Sequence, residues 1–141
     1  MKKIAIVYWS GTGNTEAMAK AVADGVASAG AEPVLLTPSD VKPGDLGGYD
    51  AVAMGCPSMG VEVLEEVEFQ PMYDEAKADL NGKNVGLFGS YGWGDGEWMR
   101  NWEKDCDEAG ARLVSESVIC CEAPDADAVS ACEALGRKLA E

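Results

Sequence analysis

Five short, almost unbroken apolar runs recur along this chain, and between them apolar residues return at helical spacing. The runs are Lys3 to Tyr8, Pro33 to Leu36, Ala51 to Cys56, Val85 to Ser90 and Leu113 to Cys121. A strand with one wet face alternates apolar and polar residues, so runs this continuous need cover on both faces, as in a parallel sheet between layers of helices. The covering helices are expected at Thr15 to Ala29, Leu64 to Asp79, Gly94 to Ala109 and Asp125 to Leu139. Gly30 and Gly110 stand where a left-handed residue would close a helix, and Asn14 or Thr15 where an N-cap would open one. Right-handed crossovers then make a doubly wound α/β domain spanning residues 1–141, with a five-stranded parallel sheet in order 2-1-3-4-5 or a Rossmann-type order. In either order a ligand binds beyond the carboxyl ends of the strands, which directs attention to the loops after Tyr8, Cys56 and Ser90. Pro38 to Gly48 reads as a surface connection.

Composition removes several function classes. Eleven basic and twenty-five acidic residues leave a net charge of −14, which repels nucleic acid and anionic membrane and favours a basic protein partner. No apolar run approaches the roughly 18 residues of a membrane span. Met1-Lys2-Lys3 leads straight into Ile4-Ala5-Ile6-Val7, too short for a signal-peptide core, so a cytoplasmic location is expected. The five cysteines include no C-x-x-C pair and read as reduced, mostly buried small side chains. Cys120 and Cys121 are adjacent in a strand and would point to opposite faces, which disfavours a metal site. The chain has no histidine, so Ser-His-Asp and Cys-His nucleophilic systems are excluded.

The first strand ends in Trp9-Ser10-Gly11-Thr12-Gly13-Asn14-Thr15, and a helix follows at once. Glycines let backbone N–H groups approach an anion, the helix dipole adds about half a positive charge, and Ser10, Thr12 and Thr15 supply hydroxyl donors. The loop has no G-K-[ST], and Glu16 replaces the last glycine of a G-x-G-x-x-G fingerprint, so a nucleoside triphosphate or NAD does not suit it. After strand four comes Ser90-Tyr91-Gly92-Trp93-Gly94, followed by Asp95-Gly96-Glu97-Trp98. Its aromatic faces suit a planar ligand such as an isoalloxazine ring, with Trp93 stacking and Trp98 packing on the following helix. After strand three comes Pro57-Ser58-Met59-Gly60-Val61-Glu62, where a methionine can lie on a ring and a carboxylate can accept from an imide N–H.

The three segments SGTGNT, GCPSMGVEVLEE and GLFGSYGWGDGEW resemble the short-chain flavodoxins of anaerobic bacteria over the whole chain. The resemblance implies the order 2-1-3-4-5 and a non-covalently bound flavin mononucleotide (FMN). It implies that Ser10, Thr12, Gly13, Asn14 and Thr15 hold the FMN phosphate, with Ser90 helping, Trp9 beside it and Gly11 among the cofactor contacts. Met59 and Trp93 would cover the two ring faces, Glu62 would bond N3, and the backbone at Gly60 would meet N5. Ser58, Tyr91, Gly92 and Gly94 complete the expected cofactor contacts. Pro57 stands where some relatives place a hydroxyl, and Val61 where small or polar residues are common.

The function implied is a low-potential carrier that shuttles single electrons, between semiquinone and hydroquinone, without catalytic residues or substrate turnover. Its partners would be a reductase and an acceptor with basic docking patches, and the carrier itself a monomer. An FMN-dependent quinone or flavin reductase of the same fold is the alternative; it usually needs longer loops or a partner subunit to build a substrate pocket. A receiver domain would need an acidic cluster after strand one and an acceptor Asp after strand three, where this chain has Tyr8-Trp9-Ser10 and Cys56-Pro57-Ser58.

Overall fold

The computed structural model describes residues 2–60 and 62–141. Its strands run in the order β2-β1-β3-β4-β5, all parallel, formed by β1 (Lys3–Tyr8), β2 (Glu32–Leu36), β3 (Ala51–Gly55), β4 (Asn84–Tyr91) and β5 (Arg112–Leu113). The central strands are the most apolar ones, and every residue of β3 is buried. Alternate residues of β1 feed separate cores. Ile4 and Ile6 face α1 (Asn14–Ser28) and α4 (Ala126–Leu139), while Ala5 and Val7 face α2 (Phe69–Ala76) and α3 (Glu97–Glu108). Two buried faces thus account for the unbroken apolar runs of the central strands β1, β3 and β4.

The fifth strand differs from the expected single run over Leu113 to Cys121. It is two pieces, β5 and β6 (Val118–Cys121), both paired with β4. Ser115 and Glu116 are exposed, and Ser117 Oγ donates to Glu103 Oε2 at 2.7 Å. A run of three polar residues does not sit in a strand covered on both faces, so the chain leaves the sheet there and returns.

Three helices start later, or on a different cap, than periodicity suggests. α1 opens on Gly13, at φ 95°, so Asn14 is the first helical residue instead of the cap. Residues 64–68 precede α2 as a turn organised by Glu65, and after Ala76 the helix tightens into a 3₁₀ segment, Lys77–Leu80. α3 opens on Gly96, also left-handed at φ 93°, which excludes the glycine-rich stretch before it. α1 and α4 pack closely: a Cβ added at Gly25 would lie 2.0 Å from the Glu133 carbonyl oxygen, and one at Gly136 2.1 Å from that of Val22. Among the described residues no helix is long and apolar enough to cross a membrane.

Candidate functional site

A cavity of about 530 Å³ opens beyond the carboxyl ends of β1, β3, β4 and β6, within the range of small-molecule sites. The loop after β1 contributes Trp9, Gly11, Thr12 and Asn14; the loop after β3 contributes Pro57, Ser58 and Met59; Ser90, Tyr91 and Gly92 come from the end of β4. No lysine or arginine lines it. A larger open groove of about 840 Å³ runs along β6 and α4. The helix N-terminus beside that groove is already occupied, because Asp125 Oδ1 accepts from Ala128 N–H at 2.8 Å.

The start of α1 forms the polar end of the smaller cavity. Ser10 Oγ accepts from Gly13 N–H at 3.0 Å and closes the loop on itself, and Gly13 supplies the left-handed turn into the helix at little steric cost. Thr15 is fully buried, and its hydroxyl meets that of Ser90 at 3.1 Å, tying α1 to β4. No side chain caps α1. The other three helices each have a carboxylate on a first-turn amide: Glu65 on Phe69 of α2, Glu62 on Glu97 of α3 and Asp125 on Ala128 of α4. Among the described residues the first-turn N–H groups of α1 therefore have no side-chain partner, at the mouth of a cavity rich in hydroxyls. An anion supplies that partner without a cationic side chain. Trp9 lies over this loop, close enough that a Cβ on Gly11 would fall 3.0 Å from its ring, and its Nε1 donates to Glu68 Oε1 at 3.0 Å.

The loop after β3 continues the sheet ladder before turning. Ser58 N–H donates to the Ser90 carbonyl at 2.9 Å, and Met59 and Val63 exchange both backbone hydrogen bonds, at 2.8 and 2.9 Å, closing a tight turn. Gly60 and Glu62 both have positive φ, 52° and 54°; Val61 lies outside the described residues. Met59 lines the cavity and is 37% exposed. Glu62 Oε1 accepts from Glu97 N–H at 3.0 Å, which carries its carboxylate to the start of α3.

Glu65 is buried, and its carboxylate accepts from the N–H groups of Val67, Glu68 and Phe69 at 3.0, 2.7 and 2.8 Å. Burial pushes its pKa up, but the three donors outweigh burial and hold it below the usual glutamate value. Cys56 is buried beneath this turn, its sulfur 3.3 Å from Glu65 N–H, and burial pushes its thiol up to about 12. It is a packing residue and not a nucleophile.

In the loop after β4 the aromatics divide. Trp98 is in the core, donating from Nε1 to the Cys56 carbonyl at 3.2 Å, with Tyr91 tilted against it at 5.6 Å between ring centroids. Trp93 is 62% exposed and stands outside the cavity wall. Gly94 lies against Glu62, so close that a Cβ there would fall 2.5 Å from the carboxylate carbon.

Of the residues expected from sequence, Trp9, Gly11, Thr12, Asn14, Ser58, Met59, Ser90, Tyr91 and Gly92 line the cavity. Ser10, Gly13 and Thr15 build the loop behind it. Gly60, Glu62, Trp93 and Gly94 stand beside it in the two turns. The expectation missed Glu122 and Ala123, which follow β6 and complete the wall. Glu122 is left-handed at φ 59°, and its N–H donates to the Tyr91 carbonyl at 2.7 Å. Their only signal in the sequence was position, at the carboxyl end of the strand beside β4.

A family model described as Flavodoxin matches residues 6–136. A flavodoxin of Clostridium beijerinckii is 45% identical over 135 residues, covering 96% of this chain and 97% of its own. One of Megasphaera elsdenii is 41% identical over 138 residues, covering 98% of each. The solution structure of two-electron reduced Megasphaera elsdenii flavodoxin superposes with a TM-score of 0.88 at 43% identity, covering 97% of this chain and 98% of that one.

Proposed function

The chain belongs to the flavodoxin family and is an FMN-binding electron carrier, not an enzyme with its own substrate turnover; we propose that residues 1–141 act as a single domain that holds the FMN phosphate on the loop Ser10 to Thr15. The observation that carries this assignment is the uncapped N-terminus of α1 facing a cavity without a cation. Bound FMN supplies the one-electron redox chemistry, and the protein supplies binding, orientation and electrostatics. Thr12 and Ser10 donate hydroxyl hydrogen bonds to the phosphate alongside the first-turn amides. Met59 would cover one ring face and Trp93 the other, where their side chains are now exposed. Ser58, Gly60, Tyr91, Gly92 and Gly94 would meet the ring through their backbone, and Glu62 would accept from the ring imide. Carboxylates around the ring disfavour added negative charge there, which makes the fully reduced carrier a stronger reductant.

Thr12→Val tests the phosphate assignment. In a flavin fluorescence titration of the apoprotein it is expected to weaken FMN by roughly threefold to tenfold and to leave riboflavin nearly unchanged. Equal losses for both ligands would remove the phosphate from this loop.

Flavodoxins exchange electrons with redox partner proteins, and the charge distribution supports partners with basic docking patches. Glu62, Glu66 and Glu68 follow β3, Glu122 follows β6 and Glu97 opens α3, and Arg100 of α3 is paired with Asp95 at 3.0 Å. Lys2, Lys3, Lys83 and Arg112 lie at the amino ends of the strands, the opposite end of the molecule. Such separation orients a basic partner toward the flavin end. We place the carrier in the cytoplasm as a monomer, a reading supported by its free cysteines and by its high negative charge.

A further inference from the structure

Glu62 is in contact with two elements besides its own turn. Its Oε1 accepts the first N–H of α3, from Glu97, at 3.0 Å. Its carboxylate carbon rests on Gly94, where a Cβ would intrude to 2.5 Å, and on both oxygens of the carboxylate that Cβ would fall within 2.8 Å. The residue is held at φ 54°, a left-handed conformation that disfavours most side chains. The turn that carries it is closed by the paired Met59 and Val63 bonds. A flexible side chain on a tight turn is thus fixed at both ends.

We propose that the first amide of α3 and the bare Cα of Gly94 are the positioning elements for Glu62, together aiming its other oxygen, Oε2, at the flavin imide. This rests on the reading that Glu62 bonds N3, and it extends that reading to the Glu97 amide and the Gly94 backbone, which touch the carboxylate itself. An orphan N–H at a helix start is a strong partner for a carboxylate, because the helix dipole adds to the hydrogen bond. With Oε1 engaged there, the carboxylate plane is set before the ligand arrives, and less side-chain freedom is lost on binding. Gly94 leaves room for that pose, and any side chain at position 94 removes it.

The test is a double-mutant cycle on the apoprotein, with Gly94→Ala, Glu62→Ala and the pair, titrated with FMN and with N3-methyl FMN. Gly94→Ala is strained by its own backbone, at φ +89°, and the cycle separates that general loss from the loss that acts through Glu62. The expected result is about a tenfold weaker FMN affinity from Gly94→Ala alone, falling below twofold when Glu62 is already alanine. The Glu97 amide proton should move upfield in both single variants without ligand, as its hydrogen bond to Glu62 is lost. Equal effects of Gly94→Ala in both backgrounds, or a Glu97 amide that stays in place, would overturn the proposal. If Glu62→Ala leaves FMN affinity unchanged, or weakens N3-methyl FMN as much as FMN, the imide contact itself is wrong, and this is recognisable because the Glu97 amide still shifts.

Discussion

Glu65 is the residue whose loss should propagate furthest from a single side chain. Replacing it with alanine removes the acceptor shared by three backbone N–H groups. Two of them rehydrate easily, because Val67 is 81% exposed and Glu68 is also exposed. The third belongs to Phe69, which is fully buried, and an unsatisfied buried N–H costs about 1–3 kcal/mol. With the charge-assisted bonds to the other two, the loss should reach about 2–3 kcal/mol, or roughly 1 M in the urea midpoint for a urea slope of about 2 kcal/mol/M. Glu65→Gln keeps the shape and one acceptor oxygen and should lose about half as much.

The pH dependence gives a second readout. The folded-state pKa of Glu65 lies below the ordinary value of 4.5, so its contribution is present above that value and disappears as the pH falls through the folded pKa. The gap between wild type and Glu65→Gln should therefore be full at pH 7 and should close with acidification below about 4.5. Because Glu68 N–H is one of the three donors and the Glu68 carboxylate holds Trp9, the same variant should also weaken FMN binding. A stability change under about 0.5 kcal/mol, or a gap that is unchanged at low pH, would refute the assignment of Glu65 as the organiser of this turn.

FMN binding should quench tryptophan fluorescence, and Trp93→Ala should abolish most of that quenching and weaken FMN by roughly 0.5–1.5 kcal/mol beyond the lost contact area. Gly25→Ala drives a methyl into the Glu133 carbonyl of α4 and should destabilise the fold by about 1–3 kcal/mol while leaving the FMN affinity of the folded protein nearly unchanged; equilibrium unfolding and titration check the two halves. Electron transfer to a basic acceptor should slow as salt rises, since the Debye length shrinks to about 8 Å near 0.15 M. Stopped-flow rates indifferent to salt would mean that the surface charge serves solubility alone.

The layered fold was legible because burial on both faces leaves a local mark, an apolar run without alternation, which β1, β3 and β4 follow; β2 carries the same mark at the sheet edge, where Leu35 is 44% exposed. The loop proposed to hold the phosphate stood out for a similar reason: its glycines, hydroxyls and following helix are contiguous from Trp9 to Thr15, and the structure opens α1 directly after it. The division of the aromatics also followed from the sequence, with Trp98 in the core at 2% exposure and Trp93 left at 62%.

What the tertiary structure decided concerns residues whose partners are far along the chain. Glu62 reaches the amide of Glu97 across 35 positions, and no periodicity around Glu62 reports that contact. Glu122 and Ala123 enter the cavity wall because β6 lies beside β4, a neighbourhood created by strand order and invisible in the segment itself. The helical pattern from Leu64 onward overran the true start at Phe69 because spacing records which residues are apolar, whereas the boundary is set by a buried carboxylate that takes the first amides. The sequence by itself therefore determined the layers and the glycine- and hydroxyl-rich loop at the start of α1, whose causes are local; the third dimension decided which carboxylates cap helices and which wall the cavity, because hydrogen bonds between loops form only after the sheet has brought their ends together.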